Sequence, residues 1–151
     1  MKGKVVILLG SKSDMEFGTE IANHLKKFGI GYEFRIASAH RSTEKVLQIL
    51  KEYEDKKVVF ITVAGRLDAL SGIVAANISH PVIACPPDTD DFHKLSYSRK
   101  TEIFSSLDVP SVASFGLAIG SEMAAIQAAK ILALEDAELA KTLSSLLPGN
   151  K

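Results

Sequence analysis

The chain has 151 residues, 46% of them hydrophobic, enough for one domain spanning 1–151 with a substantial core. Its 18 Lys and Arg balance 18 Asp and Glu, so no net field draws it to nucleic acid or to an anionic membrane. The lone Cys85 excludes an intrachain disulfide framework and a cysteine-rich zinc site and fits a reducing cytoplasm.

Val5 to Leu9 is a short apolar run of β-formers closed by Gly10. It predicts a strand buried on both faces and is too short for a signal h-region or a membrane span. Phe17, Ile21, Leu25 and Phe28 then recur at helical period, and Gly29 supplies the C′ stop. Tyr32 to Ala37 predicts the second strand; Val46, Leu47, Leu50 and Tyr53 mark a second helix. Val58 to Val63 is a third buried strand, followed by a small-residue helix over Ala69 to Asn77. Pro81 opens a fourth strand, Val82 to Cys85.

Pro86 to Lys100 has no clean period and predicts a long loop, with a short helical piece at Ile103 to Leu107 and a fifth strand at Val112 to Ile119. Two helices close the chain, Ser121 to Leu134 and Asp136 to Leu147. The second carries Leu139, Leu143, Leu146 and Leu147 on one side, an apolar face for its own sheet or for another subunit. Strands alternating with helices predict right-handed crossovers and a parallel sheet: an α/β, flavodoxin-like three-layer αβα sandwich plus a C-terminal helix.

Open α/β sheets bind ligands at the carboxyl ends of their strands. Three such ends carry polar residues here. At Gly10-Ser11-Lys12-Ser13-Asp14 the glycine permits a tight exit, and the following helix start offers free N–H groups to an anion. Ser11 and Ser13 add hydroxyls, and Asp14 suits sugar hydroxyls. Ser13-Asp14-Met15-Glu16 also fits a capping box, in which Ser13 only caps the helix.

Ser38-Ala39-His40-Arg41 presents a hydroxyl, an imidazole and a guanidinium. Histidine as a residue type titrates near neutrality and suits proton transfer, and arginine offers a planar fork to phosphate. The competing account is a hydrogen-bonded turn histidine beside a surface arginine. At Ala64-Gly65-Arg66, continuing through Leu70 and Ser71, exposed backbone amides suit a carboxylate or carbon dioxide, or the small residues serve only tight helix packing. With strand order 2-1-3-4-5 the first three strands are neighbours about 4.8 Å apart, so the outer two ends lie roughly 10 Å apart, a span that fits a sugar phosphate with one small ring.

These three segments, in order and spacing, resemble the active-site segments of the phosphoribosylaminoimidazole carboxylase family. The similarity runs on through Pro81-Val82-Ile83-Ala84-Cys85-Pro86-Pro87 and Ala128-Ala129-Lys130-Ile131-Leu132. The resemblance implies a homo-octamer acting on a nucleotide, with no metal and no organic cofactor; the composition already predicts a cytoplasmic protein. One branch of the family adds carbon dioxide to C4 of 5-aminoimidazole ribonucleotide; the other moves the carboxyl of the N5-carboxylated nucleotide to C4. Ala64-Gly65-Arg66, Ala69-Leu70-Ser71-Gly72 and Cys85-Pro86-Pro87 are similar to the first branch. Arg41 and Leu117-Ala118-Ile119-Gly120 lean toward the second.

Carried onto matching positions, the resemblance gives Ser11, Ser13 and Arg41 the 5′-phosphate with help from Ser38, and Asp14 the ribose hydroxyls. Gly65 and Ser71, with the surrounding Ala64, Arg66 and Leu70, would take the carboxyl group, Gly10 and Ala39 would line the site, and His40 would remove the C4 proton. The sequence departs from the family pattern at Leu67-Asp68, at Pro110-Ser111-Val112, and in the glycine-poor segment from Asp88 to Thr101. A nucleotide-binding relative without catalysis is the alternative of another class. A phosphorylated receiver domain would need acidic strand ends where Gly10-Ser11 and Ala64-Gly65 stand.

Overall fold

The two most apolar runs of the sequence lie side by side as β1 (Lys4–Leu9) and β3 (Val58–Val63), paired in parallel. In this computed structural model, which describes residues 4–149 apart from the side chains of Leu67 and Asp68, they sit inside a five-stranded parallel sheet. Its order is β2-β1-β3-β4-β5, with β2 at Gly31–Ile36, β4 at Val82–Ala84 and β5 at Gly116–Leu117.

Alternate residues of the central strands feed opposite layers, as the two-residue period of a strand requires. Val5, Ile7 and Leu9 join Val59, Ile61 and Val63 in a core shared with α1 (Met15–Lys27) and α5 (Ser121–Leu132). Val6, Leu8, Val58 and Phe60 join the other core, with α2 (Thr43–Lys51) and α3 (Leu67–Asn77). The three-layer sandwich expected from the sequence is the observed one.

The end of α1 is also as expected. Gly29 takes φ 69°, the Ile30 N–H donates to the Leu25 carbonyl at 3.1 Å, and the Gly29 N–H donates to Lys26 at 2.9 Å, the paired bonds of a Schellman stop. Inside α1, Gly18 permits close packing on the sheet: a Cβ there would lie 2.9 Å from Leu9 Cδ2.

The differences fall elsewhere. In α2 the buried residues are Val46, Ile49 and Leu50, while Leu47 is half-buried. The loop expected over 86–100 instead contains a 3-10 turn at Phe92–Lys94 and enters α4 (Tyr97–Ser105), where only Ile103 is buried. The expected fifth strand shrinks to Gly116–Leu117, preceded by a 3-10 turn at Ser111–Ala113. The C-terminal helix, α6 (Ala137–Ser144), docks Leu139 and Leu143 on its own chain and ends before Leu146 and Leu147, which stay exposed. No described helix is long and apolar enough to cross a membrane.

Candidate active site

Register brings three strand ends level: Leu9 pairs with Ile36 on one side and with Val63 on the other. The ladder then runs one residue further. The Gly10 N–H donates to the Val63 carbonyl at 2.8 Å and the Ala37 N–H to the Leu9 carbonyl at 3.0 Å. A Cβ on Gly10 would sit 3.0 Å from Ala64 Cβ, so glycine is what lets the first and third junctions close on each other.

Between the ends lies a cleft of about 570 Å³. Gly10, Ser11, Ser13 and Asp14 wall it from the first junction, and Ser38, Ala39, His40 and Arg41 from the second. Ala64, Gly65, Arg66 and the buried Leu70 wall it from the third. Ser71 is the exception among the expected site residues: it is fully buried in α3 and is not among the residues that wall the cleft. The side chains of Leu67 and Asp68 lie outside the described residues.

The first junction is not the capping box that its sequence fits. Ser11, not Ser13, caps a 3-10 turn at Lys12–Asp14, accepting the Ser13 N–H at 3.3 Å and the Ser13 hydroxyl at 3.0 Å. The helix proper starts at Met15, with Asp14 in the N-cap position making no side-chain cap bond. Partial burial pushes the Asp14 carboxyl above its usual range, and nearby Asp88 pushes the same way; a hydrogen bond from the Ser11 backbone and the charge of Arg99 oppose them.

The second junction is braced internally. The Ser38 N–H donates to Ser42 Oγ at 3.0 Å, the Arg41 N–H donates to Ser38 Oγ at 3.2 Å, and the Thr43 hydroxyl donates to the Ala39 carbonyl. These bonds hold the turn while the side chains of His40 and Arg41 stay exposed along the cleft. Neither α2, with Ser42 at its N-cap, nor α3, with Arg66 there, has a side-chain cap bond. Helix starts that lack caps keep free N–H groups and a positive dipole end. An electroneutral chain can thus hold an anion here.

Sequence reasoning missed Lys45, which lines the same cleft from the first turn of α2 and adds a second cation near Arg41. Its only signal was its place four residues after Arg41, just inside a helix whose start the apolar pattern left undefined. It also missed how the segment after β4 is held. Thr89 Oγ accepts the Gly120 N–H at 2.9 Å, and Asp90 Oδ1 accepts the Ser121 N–H at 2.7 Å and the Ser121 hydroxyl at 2.8 Å. Partial burial opposes the Asp90 charge, but these bonds prevail and hold its carboxyl below the usual range. Cys85 is buried and its thiol is pushed up to about 12, chiefly by desolvation, so it is not a nucleophile here.

Comparison with known proteins converges on one family. The family model described as AIR carboxylase matches residues 4–148. The phosphoribosylaminoimidazole carboxylase of Archaeoglobus fulgidus is 52% identical over 133 residues, 88% of this chain and 71% of that protein. The N5-carboxyaminoimidazole ribonucleotide mutase of Methanocaldococcus jannaschii is 40% identical over 142 residues, 92% of this chain and 85% of that one. The crystal structure of Treponema denticola PurE superposes with a TM-score of 0.84 at 44% identity, covering 95% of this chain and 88% of that one.

Proposed function

The chain belongs to the AIR carboxylase family, and from that premise we propose that its cleft carboxylates 5-aminoimidazole ribonucleotide at C4 with carbon dioxide, giving 4-carboxy-5-aminoimidazole ribonucleotide for purine biosynthesis. The protein is an enzyme of that family, whose members are named for this carboxylation or for the mutase reaction that yields the same product. The observation that carries our choice of site is the convergence of three strand ends, with imidazole, guanidinium and hydroxyls, on one cleft into which two helix starts without side-chain caps open.

In this proposal Ser11, Ser13 and Arg41, with Ser38, hold the 5′-phosphate, and Asp14 holds the ribose hydroxyls. The backbone at Ala64, Gly65 and Arg66 receives the carboxyl donor. Ser71, fully buried in α3, is left to support this wall from within the fold. The enamine-like C4 of the aminoimidazole supplies the electron pair that forms the new carbon–carbon bond, so no protein nucleophile is required. His40 then takes the proton from C4, and the electrons of that C–H bond restore the aromatic ring. The protein contributes positioning and proton transfer.

Identity of 52% with a protein named as the carboxylase supports carbon dioxide as donor. Arg41 and the segment Leu117 to Gly120, with the 40% identical mutase, favour the second reading, in which His40 also shuttles the proton of the amine. Supplying the purified protein with 5-aminoimidazole ribonucleotide and bicarbonate, and separately with the N5-carboxylated nucleotide, decides between them. Product from the first mixture is expected; product from the second alone would assign the mutase.

We also take the protein to be a cytoplasmic homo-octamer. Support for assembly comes from apolar side chains left open on one stretch, among them Tyr97, Phe104 and Val112, the last 75% exposed. Light scattering that returned a monomer would refute it.

A further inference from the structure

Resting on the carboxyl-donor site proposed above, we propose that Arg99 is a positioning residue that clamps the Gly65–Arg66 backbone to the loop after β4. Arg99 lies in the first turn of α4 with its side chain only 18% exposed. Its Nη1 donates to the Gly65 carbonyl at 2.6 Å and to Glu102 Oε2 at 3.1 Å, and its Nη2 donates to the Pro87 carbonyl at 3.1 Å. Glu102, on the next turn, also accepts from Arg66 Nη1 at 3.4 Å. One planar guanidinium therefore joins the ends of the neighbouring strands β3 and β4, and its carboxylate partner restrains the side chain that follows Gly65.

The third junction needs such a restraint. A Cβ at Gly65 would meet open space, so packing does not fix this residue, and glycine has the most permissive backbone. With the Gly65 carbonyl turned to Arg99, the Arg66 N–H points the opposite way across a trans peptide, which fixes the amide direction at the donor end of the cleft. Guanidinium suits the task because its donors lie in one rigid plane and can hold two carbonyls in a set mutual orientation; an ammonium is a single point donor. The specificity of the effect follows from the bonding. The Arg99 hydrogen bonds reach the β3 and β4 ends, whereas the Ser11–Ser13 and Ser38–Ser42 turns are tied within themselves; the Arg99 charge also acts on Asp14, an effect that Arg99→Lys keeps and that separates charge from clamp.

The test uses the full chain as wild type, Arg99→Met, Arg99→Lys and Arg99→Ala. Affinity for 5-aminoimidazole ribonucleotide is read by calorimetry, and turnover is read against carboxyl-donor concentration. Arg99→Met is expected to keep nucleotide affinity within about twofold while kcat/KM for the donor falls about 10–100-fold, the loss that goes with charge-assisted hydrogen bonds. Arg99→Lys should fall between Arg99→Met and wild type, and millimolar guanidinium should restore part of the activity of Arg99→Ala. Nucleotide affinity falling in step with turnover, or donor kinetics equal to wild type, would overturn the clamp. Should Arg99→Met fail to fold, Arg99→Lys at wild-type Tm decides by the same two readouts. The wild type alone reports which donor is used; a wild type that accepts only the N5-carboxylated nucleotide refutes that assignment, and the clamp is then judged on the variants with that donor.

Discussion

The helix starts of this molecule fall into two groups that are treated differently. On the cleft side, α2 and α3 begin without a side-chain cap, and so does α1, whose Ser11 cap serves the 3-10 turn before it. By contrast, Ser96 caps α4 and Asp136 caps α6, while Asp90, from the loop after β4, accepts the Ser121 N–H at the start of α5. A side-chain cap is worth about 0.5–2 kcal/mol, so the cleft-side helices forgo stability that the others take. The same division runs through the sheet. The six-residue strands β1, β2 and β3 lead into the hydroxyls, imidazole and guanidinium of the cleft, whereas the short β4 and β5 lead into groups bonded to one another. Binding chemistry rests on the first group, and restraint of the cleft comes from the second.

Replacing His40 tests that division most severely. His40→Asn is expected to lower kcat about 10²–10⁴-fold, the usual contribution of a positioned acid–base group, with calorimetric affinity for the nucleotide kept. Full turnover by this variant would move the proton transfer elsewhere and empty the second junction of its role. Arg41→Met comes next. Loss of a charge-assisted contact to phosphate should raise the nucleotide Kd about 10–100-fold, whereas Lys45→Met, removing an exposed point charge, should raise it only about two- to fivefold. Equal effects would mean that the cleft holds its anion by diffuse charge rather than by the geometry of one junction.

A change on the other side should do the reverse. Asp136 accepts the Leu139 N–H at 2.9 Å and starts the helix that docks Leu139 and Leu143 on the core. Asp136→Ala should destabilise the protein by about 1 kcal/mol in a urea titration and leave kcat and KM unchanged. Altered turnover would show that the capped helices are coupled to chemistry more closely than the Arg99 bridge alone provides.

The two groups also differ in how far they can be read from sequence. Val5 to Leu9 and Val58 to Val63 are apolar without a break because both faces of each strand are covered, and that burial makes their polar ends conspicuous. Ser11 and Gly65 stand out in the sequence for that reason, whereas Ser38, His40 and Arg41 follow the half-buried β2 and stand out only by residue type. In α4 only Ile103 is buried and Phe104 is exposed, so no apolar stripe betrays a helix at Tyr97–Ser105. Arg99 was illegible for a further reason. Its partners at Gly65 and Pro87 are backbone carbonyls 34 and 12 residues away, and a carbonyl leaves no trace in residue type. The burial of Ser71 was illegible too, because a position one residue past the cleft wall looks the same in sequence as a position on it.

The smallest expected effect concerns the cost of keeping a charge at the cleft. Asp14 is partly buried and faces Asp88, and its carboxyl titrates above the usual range in the folded protein. A carboxyl with a folded pKa above its unfolded value makes the ionised folded state the less favoured one, so at neutral pH this charge destabilises the fold. The penalty fades as pH falls through the raised folded value, where the group takes up a proton. Asp14→Asn should therefore raise Tm at pH 7, by about 2 °C or less for a half-exposed group in a chain of this size, and the gain should shrink in acid. The same variant should bind the nucleotide more weakly if Asp14 accepts from the ribose hydroxyls. A gain in Tm with weaker binding would place Asp14 with the helix starts left uncapped beside the cleft, where stability is given up to keep a group available to ligand. A fall in Tm would class it with Asp90 and Asp136, as a carboxylate whose work is to hold the fold together.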